Sequence, residues 1–411
     1  MEPAERVARE SYGRLIAWLS ARTRDVAAAE DALSDAFAAA LRVWPLEGAP
    51  DNPEAWLMAA AKRRLIDQGR RAAVARAGEA RIALAMEEIE EDMRADEGLP
   101  DRRLGLMFAC AHPAIDPGVR TALMLQTVLG LNADRIAAAF LVEPAAMGQR
   151  LVRAKRKIRD SGIPFSIPDT AFWPARIGAV LDAIYAAFAE GWIDAVGVDG
   201  ERRTLAQEAI WLGRVLAHAA PKEPEALGLL SLMLHLEARR AARRDAEGAF
   251  VPLDEQDCAL WDESLIVAAE RALFSAAALR RPGRYQLEAA IQSAHAARRR
   301  TGSTDWAAVV GLYDALFALT QSPVARLNRA AALARAAGAP EALAALEDLA
   351  GALDDYQPYW ALRAHLLQAV GRDAEAAAAY AEAIAREHDA AVVQFLKEKS
   401  ASLHATVETR S

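Results

Sequence analysis

The stretch over residues 130–160, GLNADRIAAAFLVEPAAMGQRLVRAKRKIRD, constrains this chain more than any other. Its apolar residues recur at helical spacing in two runs with Pro144 between them, which predicts two helices joined by a tight turn. Asn132 suits an N-cap, and Ile136, Ala137 and Phe140 share one face of the first helix. Pro144 suits the first turn of the second, where its missing N–H costs nothing. In that helix Met147, Leu151, Ala154 and Ile158 should face inward. The opposite face carries Ala145, Gln149 and Arg153, and Arg150, Lys155, Arg156, Lys157 and Arg159 crowd toward its C-terminal end. A packed helix that is small and polar in front and densely basic behind has the shape to enter a DNA major groove. Its front residues would meet base edges and its cations phosphates. A helical hairpin with a solvated charged face is the plainer alternative.

The 411 residues leave room for roughly two to four domains. Alanine is abundant and aromatic residues make up only 6% of the chain, which favours packed helices over sheets, an all-α fold. No run of about 20 apolar residues lacks charges, so no membrane span is expected. Residues 1–10 carry charges of both signs and no apolar core, unlike a signal peptide. The two cysteines, Cys110 and Cys258, are far apart in sequence and fit a reducing cytosol, so the expected location is cytoplasmic. Cys110 with His112 could form half a metal site, but no second ligand pair accompanies it; a buried small residue beside a capping histidine is the preferred reading, with no metal and no cofactor. The net charge of −8 does not argue against DNA, because the cations are clustered. No phosphate-cradling glycine loop or nucleophile–base pair occurs and the histidines are scattered, so the expected protein is not an enzyme.

Residues 1–85 read as a three-helix unit. Residues 6–21 place Tyr12, Leu15, Ile16 and Leu19 on one side. Asp25 is placed to cap DVAAAEDALSDAFAAALRVW, whose apolar positions Val26, Leu33, Phe37 and Leu41 leave Glu30, Asp31, Ser34 and Asp35 outward. Trp44 and Pro45 are expected to end that helix, and a loop rich in breakers, PLEGAPDNP, follows. The third helix, EAWLMAAAKRRLIDQGRR, offers Trp56, Leu57, Ala60, Leu65 and Ile66 to the core and carries Lys62, Arg63, Arg64, Arg70 and Arg71 as a second basic stripe. Next comes a segment dominated by acids, over 86–101, and then two short helices that should form the core beneath the helix-turn-helix, within 102–165.

AEDALSDAF, a Trp-containing loop and AWLMAAAKRRLIDQGRR resemble the first conserved domain of extracytoplasmic-function sigma factors of bacterial RNA polymerase. Residues 130–158 resemble their second. The resemblance implies that the helix over 31–41, with Asp31, Leu33, Ser34, Asp35, Phe37 and Leu41, docks on the clamp helices of the polymerase β′ subunit. The loop over 44–52, with Trp44, Asn52 and the nearby Trp56, would hold a base flipped out of the −10 element. Lys62, Arg63, Arg64, Arg70 and Arg71 would grip the adjacent duplex and assist strand opening. Ala145, Gln149, Arg150, Arg153, Arg156 and Lys157 would read the −35 element, in a domain that meets the β flap. The acidic linker would thread through the RNA channel of the enzyme. The implied partners are core RNA polymerase and promoter DNA, with no membrane.

After a linker marked by Gly162, Pro164 and Pro168, residues 166–411 read as helix after helix. In YWALRAHLLQAVGRDAEAAAAYAEAIARE, Trp360, Ala364, Gly371, Ala376, Tyr380 and Ala383 fall at the tetratricopeptide spacing, and NRAAALARAAGAPEALAAL echoes it about 33 residues earlier with Gly338 in the turn. This predicts a TPR-like helical solenoid. Arg239, Arg240, Arg243 and Arg244 follow His235; the cluster reads either as an anion or acidic-partner site or as a solvated helix end. Trp192, Trp211, Trp261, Tyr285, His295 and Trp306 fit either a pocket or plain core. EPEALGLLSLMLHLEARRAARRDAEG, LDEQDCALWD, RPGRYQLEAAIQSAHA and SPVARLNRAAALA resemble the C-terminal extension of one subgroup of these sigma factors. That implies a built-in regulatory module, whose peptide, protein or small-molecule partner the sequence does not name. The competing reading is a one-component helix-turn-helix regulator with a helical sensor domain, which has no need for an acidic docking helix and a second basic unit.

Overall fold

The computed structural model describes residues 3–73, 101–140, 142–193 and 200–408. The acidic linker is outside the described residues except for Asp101, and so are the side chains of Arg70 and Arg71. Every regular element among the described residues is helical, apart from one isolated antiparallel bridge between Arg244 and Phe250. No helix among them is long and apolar enough to cross a membrane. The chain divides into two compact units, residues 1–193 with 199–216, and residues 194–198 with 217–411.

The first unit begins with α1 (Pro3–Thr23), α2 (Val26–Glu47) and α3 (Pro53–Ala73). Asp25 caps α2 by accepting from the Ala28 N–H at 3.2 Å. Contrary to expectation, Trp44 and Pro45 do not end α2. A proline so near the C-terminus forfeits one ladder bond, and the helix runs on to Gly48, whose N–H closes on the Trp44 carbonyl at 3.0 Å. Leu15, Ile16, Trp18, Leu19, Leu33, Leu57 and Met58 form the core, whereas Tyr12, Trp56, Ala60, Leu65 and Ile66 are only half-buried.

Four further helices follow: α4 (Arg103–Cys110), α5 (Pro117–Thr127), α6 (Ala133–Ala139) and α7 (Pro144–Asp160). Cys110 is fully buried against the Thr127 hydroxyl at 3.6 Å, and burial pushes its thiol up to about 12. His112 Nδ1 accepts from the Ala114 N–H at 3.1 Å, which fixes the turn after α4. Gly130 turns the chain with a φ of +69°, and Asn132 caps α6 through its side-chain oxygen and the Arg135 N–H at 2.8 Å. Met147, Leu151, Ala154 and Ile158 are buried beneath α7 as the helical period requires. Phe140 stands just past the end of α6 and is exposed, so it does not join Ile136 and Ala137 in the core. Then α8 (Ile177–Ile193) packs on α5, with Val180, Ile184 and Phe188 buried, and α9 (Gly200–Ala219) follows.

In the second unit α10 (Pro224–Ala238) packs against α11 (Glu263–Ala278) and α12 (Arg284–Ala296). The chain then continues through α13 (Arg298–Thr301) to α14 (Trp306–Thr320), which pairs with α15 (Pro323–Ala336). Two hairpins close it: α15 with α16 (Ala339–Glu347), turning at Gly338, and α17 (Gln357–Ala369) with α18 (Asp373–Ala385), turning at Gly371. Both glycines have positive φ, +115° and +77°. Ala364, Ala376, Tyr380 and Ala383 are buried between these helices, and α19 (Ala390–Glu408) covers α18.

Candidate polymerase and nucleic-acid interface

The outward face of α7 is open along its length. Ala145, Gln149, Arg150, Arg153, Arg156 and Lys157 are all exposed, while the apolar stripe opposite fixes the helix on its module. Four of these six are cations, so the exposed face is strongly positive. Lys155 departs from the basic cluster and is buried.

On α2, Asp31, Ser34, Asp35 and Leu41 are exposed and Phe37 is half-buried. Leu33 must be corrected: it is 0% exposed and belongs to the core, so it cannot touch a partner. Asp35 holds Arg64 in an ion pair at 2.5 Å, which draws that arginine onto α2 while Arg63 stays exposed and Lys62 half-buried. Trp44 needs a second correction. It is 4% exposed and meets Trp56 edge to face at 5.4 Å, so it forms the floor of the loop and not a base-stacking surface. Asn52 is exposed, and its side-chain oxygen accepts from the Ala55 N–H at 3.0 Å to start α3.

A junction joins these two faces within the first unit. Lys155 Nζ on α7 donates to Glu30 Oε2 on α2 at 2.5 Å, with side chains 8% and 18% exposed. Glu30, expected outward, is thus turned in; burial raises its pKa more than Lys155 lowers it, with Asp31 and Asp25 adding to the rise. Arg159 reaches Asp25 at 3.5 Å beside the pair. In the same unit, α1 passes so close to the end of α5 that a Cβ on Gly13 would collide with the Val128 carbonyl oxygen. The Tyr12 ring lies over Gly130, and burial, with Glu30 second, raises the Tyr12 pKa.

A second junction leaves little trace in the sequence. Arg103 is buried at the start of α4, paired with Asp101 at 2.7 Å and with Glu208 of α9, its guanidinium 4.2 Å from the Trp211 ring centre. Arg135 pairs with Glu190 of α8 at 2.6 Å. Helices α8 and α9 are therefore clamped to the module that carries α7. Only the placing of an arginine and an aspartate at the head of an apolar run hinted at it. Among the described residues no group of three His, Cys, Asp or Glu side chains is placed to hold a metal ion.

The sigma-70 region 2 family matches residues 7–74, which span α1 to α3. A second match, to a family of unknown function (DUF6596), covers residues 176–277. An uncharacterized protein of Rhizobium meliloti (strain 1021), R00370, is 39% identical over 384 residues, covering 91% of this chain and 89% of that protein. No solved structure matches the chain.

Proposed function

The chain belongs to one family with the Rhizobium meliloti protein R00370 and carries a sigma-70 region 2 domain, and on that premise we propose that it is an alternative sigma factor of the extracytoplasmic-function class. The supporting observation is the union, in one chain, of that domain with a helix whose outward residues are small in front, basic behind and exposed. In this reading Asp31, Ser34, Asp35, Phe37 and Leu41 dock on the β′ clamp helices, and the module carrying α7 meets the β flap. The −10 base is held by the Asn52 amide and the half-buried Trp56, over the floor that Trp44 provides. Flipping that base costs a few kcal/mol, which the cations of α3 offset on neighbouring phosphates. Gln149, Arg150, Arg153, Arg156 and Lys157 take the −35 element. The helical hairpins that turn at Gly338 and Gly371 form a TPR-like module that modulates this activity, and the clamp at Arg103 gives α8 and α9 a direct hold on the −35 reader.

The proposal requires the first unit to open. The two promoter elements lie roughly 25 base pairs apart, about 85 Å at 3.4 Å per step. Faces on α2 and α7, joined through Glu30 and Lys155, cannot span that distance. Binding of core polymerase would separate the modules and so couple enzyme capture to promoter reading.

The test is to mix the purified chain with core polymerase and genomic promoter fragments and map transcript starts. Starts at a defined promoter set are expected. A chain that neither binds the core enzyme nor directs any start is not a sigma factor.

A further inference from the structure

Helix α10 carries a stripe of buried polar residues that the reading above does not use. Ser231, His235 and Arg239 stand four residues apart on one face of the α10 end, and their exposures are 0%, 2% and 8%. Each has a buried polar atom without a hydrogen-bond partner: the Ser231 hydroxyl, both ring nitrogens of His235, and Arg239 Nε. His235 Nε2 lies 3.4 Å from Glu270 Oε1, near but not bonded. The Arg239 guanidinium donates to the Gln292 side-chain oxygen on α12 and sits 6.0 Å from the Trp261 ring centre, whose indole N–H is also buried and unpartnered. His295 completes the group, 8% exposed and edge-on to Trp306 at 5.5 Å.

The charges around Arg239 do not balance. Arg240 is answered by Glu237 at 2.9 Å, and Arg244 by Asp389. Arg239 is in no ion pair with a carboxylate among the described residues. Its cationic neighbours are Arg243 and Arg298, and burial followed by these like charges brings its pKa down to about 10, with Tyr313 acting weakly the other way. It is still a cation at neutral pH. His235 and His295 are neutral there, both held to about 4 by burial and then by Arg239, and His235, whose ring nitrogens have no partner, has one ring N–H to offer. A buried cation without a counter-charge is among the most unfavourable groups a fold can carry, and a shell of open donors favours an acceptor-rich partner. Water can satisfy donors but cannot neutralise the charge.

We infer that Ser231, His235, Arg239 and Trp261 form a binding site for an oxyanion, the carboxylate or phosphate group of a small molecule. The site is independent of the sigma-factor reading and gives the second unit a ligand chemistry. The test uses the intact chain, with inorganic phosphate and citrate as separate probes and sodium chloride at equal ionic strength as the reference. A saturable rise in the unfolding midpoint with one or both anions is expected, matched by heat in a calorimetric titration. Phosphate alone, or citrate alone, identifies which oxyanion the site takes. Arg239→Met should abolish the saturable response and Arg240→Met should retain it. Ser231→Ala, which disturbs packing little, should weaken binding about tenfold through one lost charge-assisted bond, and it serves if Arg239→Met does not fold. No saturable response to either anion, or equal binding by wild type and the Arg239 and Ser231 variants, overturns the inference.

Discussion

Lys155 Nζ meets Glu30 Oε2 at 2.5 Å across 125 positions of sequence, and the pair ties the basic helix α7 to the acidic helix α2. Both side chains are mostly buried, so the pair has given up hydration that its attraction must recover. Removing one partner strands the other. Lys155→Met or Glu30→Leu alone should therefore cost about 3 kcal/mol, while the double variant should lie within about 1 kcal/mol of wild type. Denaturant unfolding of the four proteins checks this. Single variants as stable as wild type would mean that α2 and α7 are not joined in solution.

Gly13 gives a steric handle on the same closure. Leucine is a far better helix former, so Gly13→Leu should favour α1 by about 1 kcal/mol if nothing opposed it. Its side chain would instead strike the Val128 carbonyl and drive α1 from the end of α5. The expected outcome is an increased radius of gyration in small-angle scattering with unchanged helix content. Affinity for duplex DNA should rise several-fold, because the variant no longer spends binding energy on opening. Scattering identical to wild type would show that α1 and α5 adjust locally and stay together.

Helix α7 and its junction show how far the sequence could be read. Met147, Leu151, Ala154 and Ile158 are buried where the period places them, because an apolar stripe is a local property of one helix. Lys155 lies at the edge of that stripe, and only Glu30, on another module, decides that it turns inward. Leu33 shows the converse: its spacing assigned it to the core, and its place in a docking segment pulled it to the surface by association. Pro45 puts Trp44 at a helix end and the family resemblance puts it in the loop, yet its ring is claimed by Trp56. The clamp at Arg103 depends on Glu208 and Trp211, more than 100 residues on, and no periodicity reports such a partner.

The two buried histidines of the second unit set its response to acid. An unfolded histidine titrates near 6.5, whereas His235 and His295 titrate at about 4 in the folded chain. Between those values the unfolded state binds more protons, so stability is full above about pH 6.5 and is lost as pH falls toward 4. Two such sites are worth a few kcal/mol across that window. The unfolding midpoint should fall steadily from pH 6.5 to 4, and His235→Leu should flatten the slope by about half, leaving the share that His295 contributes. Equal slopes in variant and wild type would show that His235 is protonated in the fold.

On the proposed reading, the outward face of α7 divides into residues that meet bases and residues that grip phosphates. Arg153 lies mid-helix beside Gln149, where a side chain in a major groove reaches base edges; Lys157 lies a turn further on, toward the backbone. Arg153→Ala should cost about 1–3 kcal/mol on the chain's own −35 element and relax specificity there. Lys157→Ala should weaken all sequences alike and reduce the slope of log affinity against log salt by about 0.9. Neither lies on the outward face of α2, so binding to core polymerase should be unchanged in both. Promoter competition assays at several salt concentrations, with a pull-down on core enzyme, distinguish the outcomes. A parallel loss of core binding would mark a folding defect, and full promoter selectivity in the Arg153 variant would place the reading elsewhere than on α7.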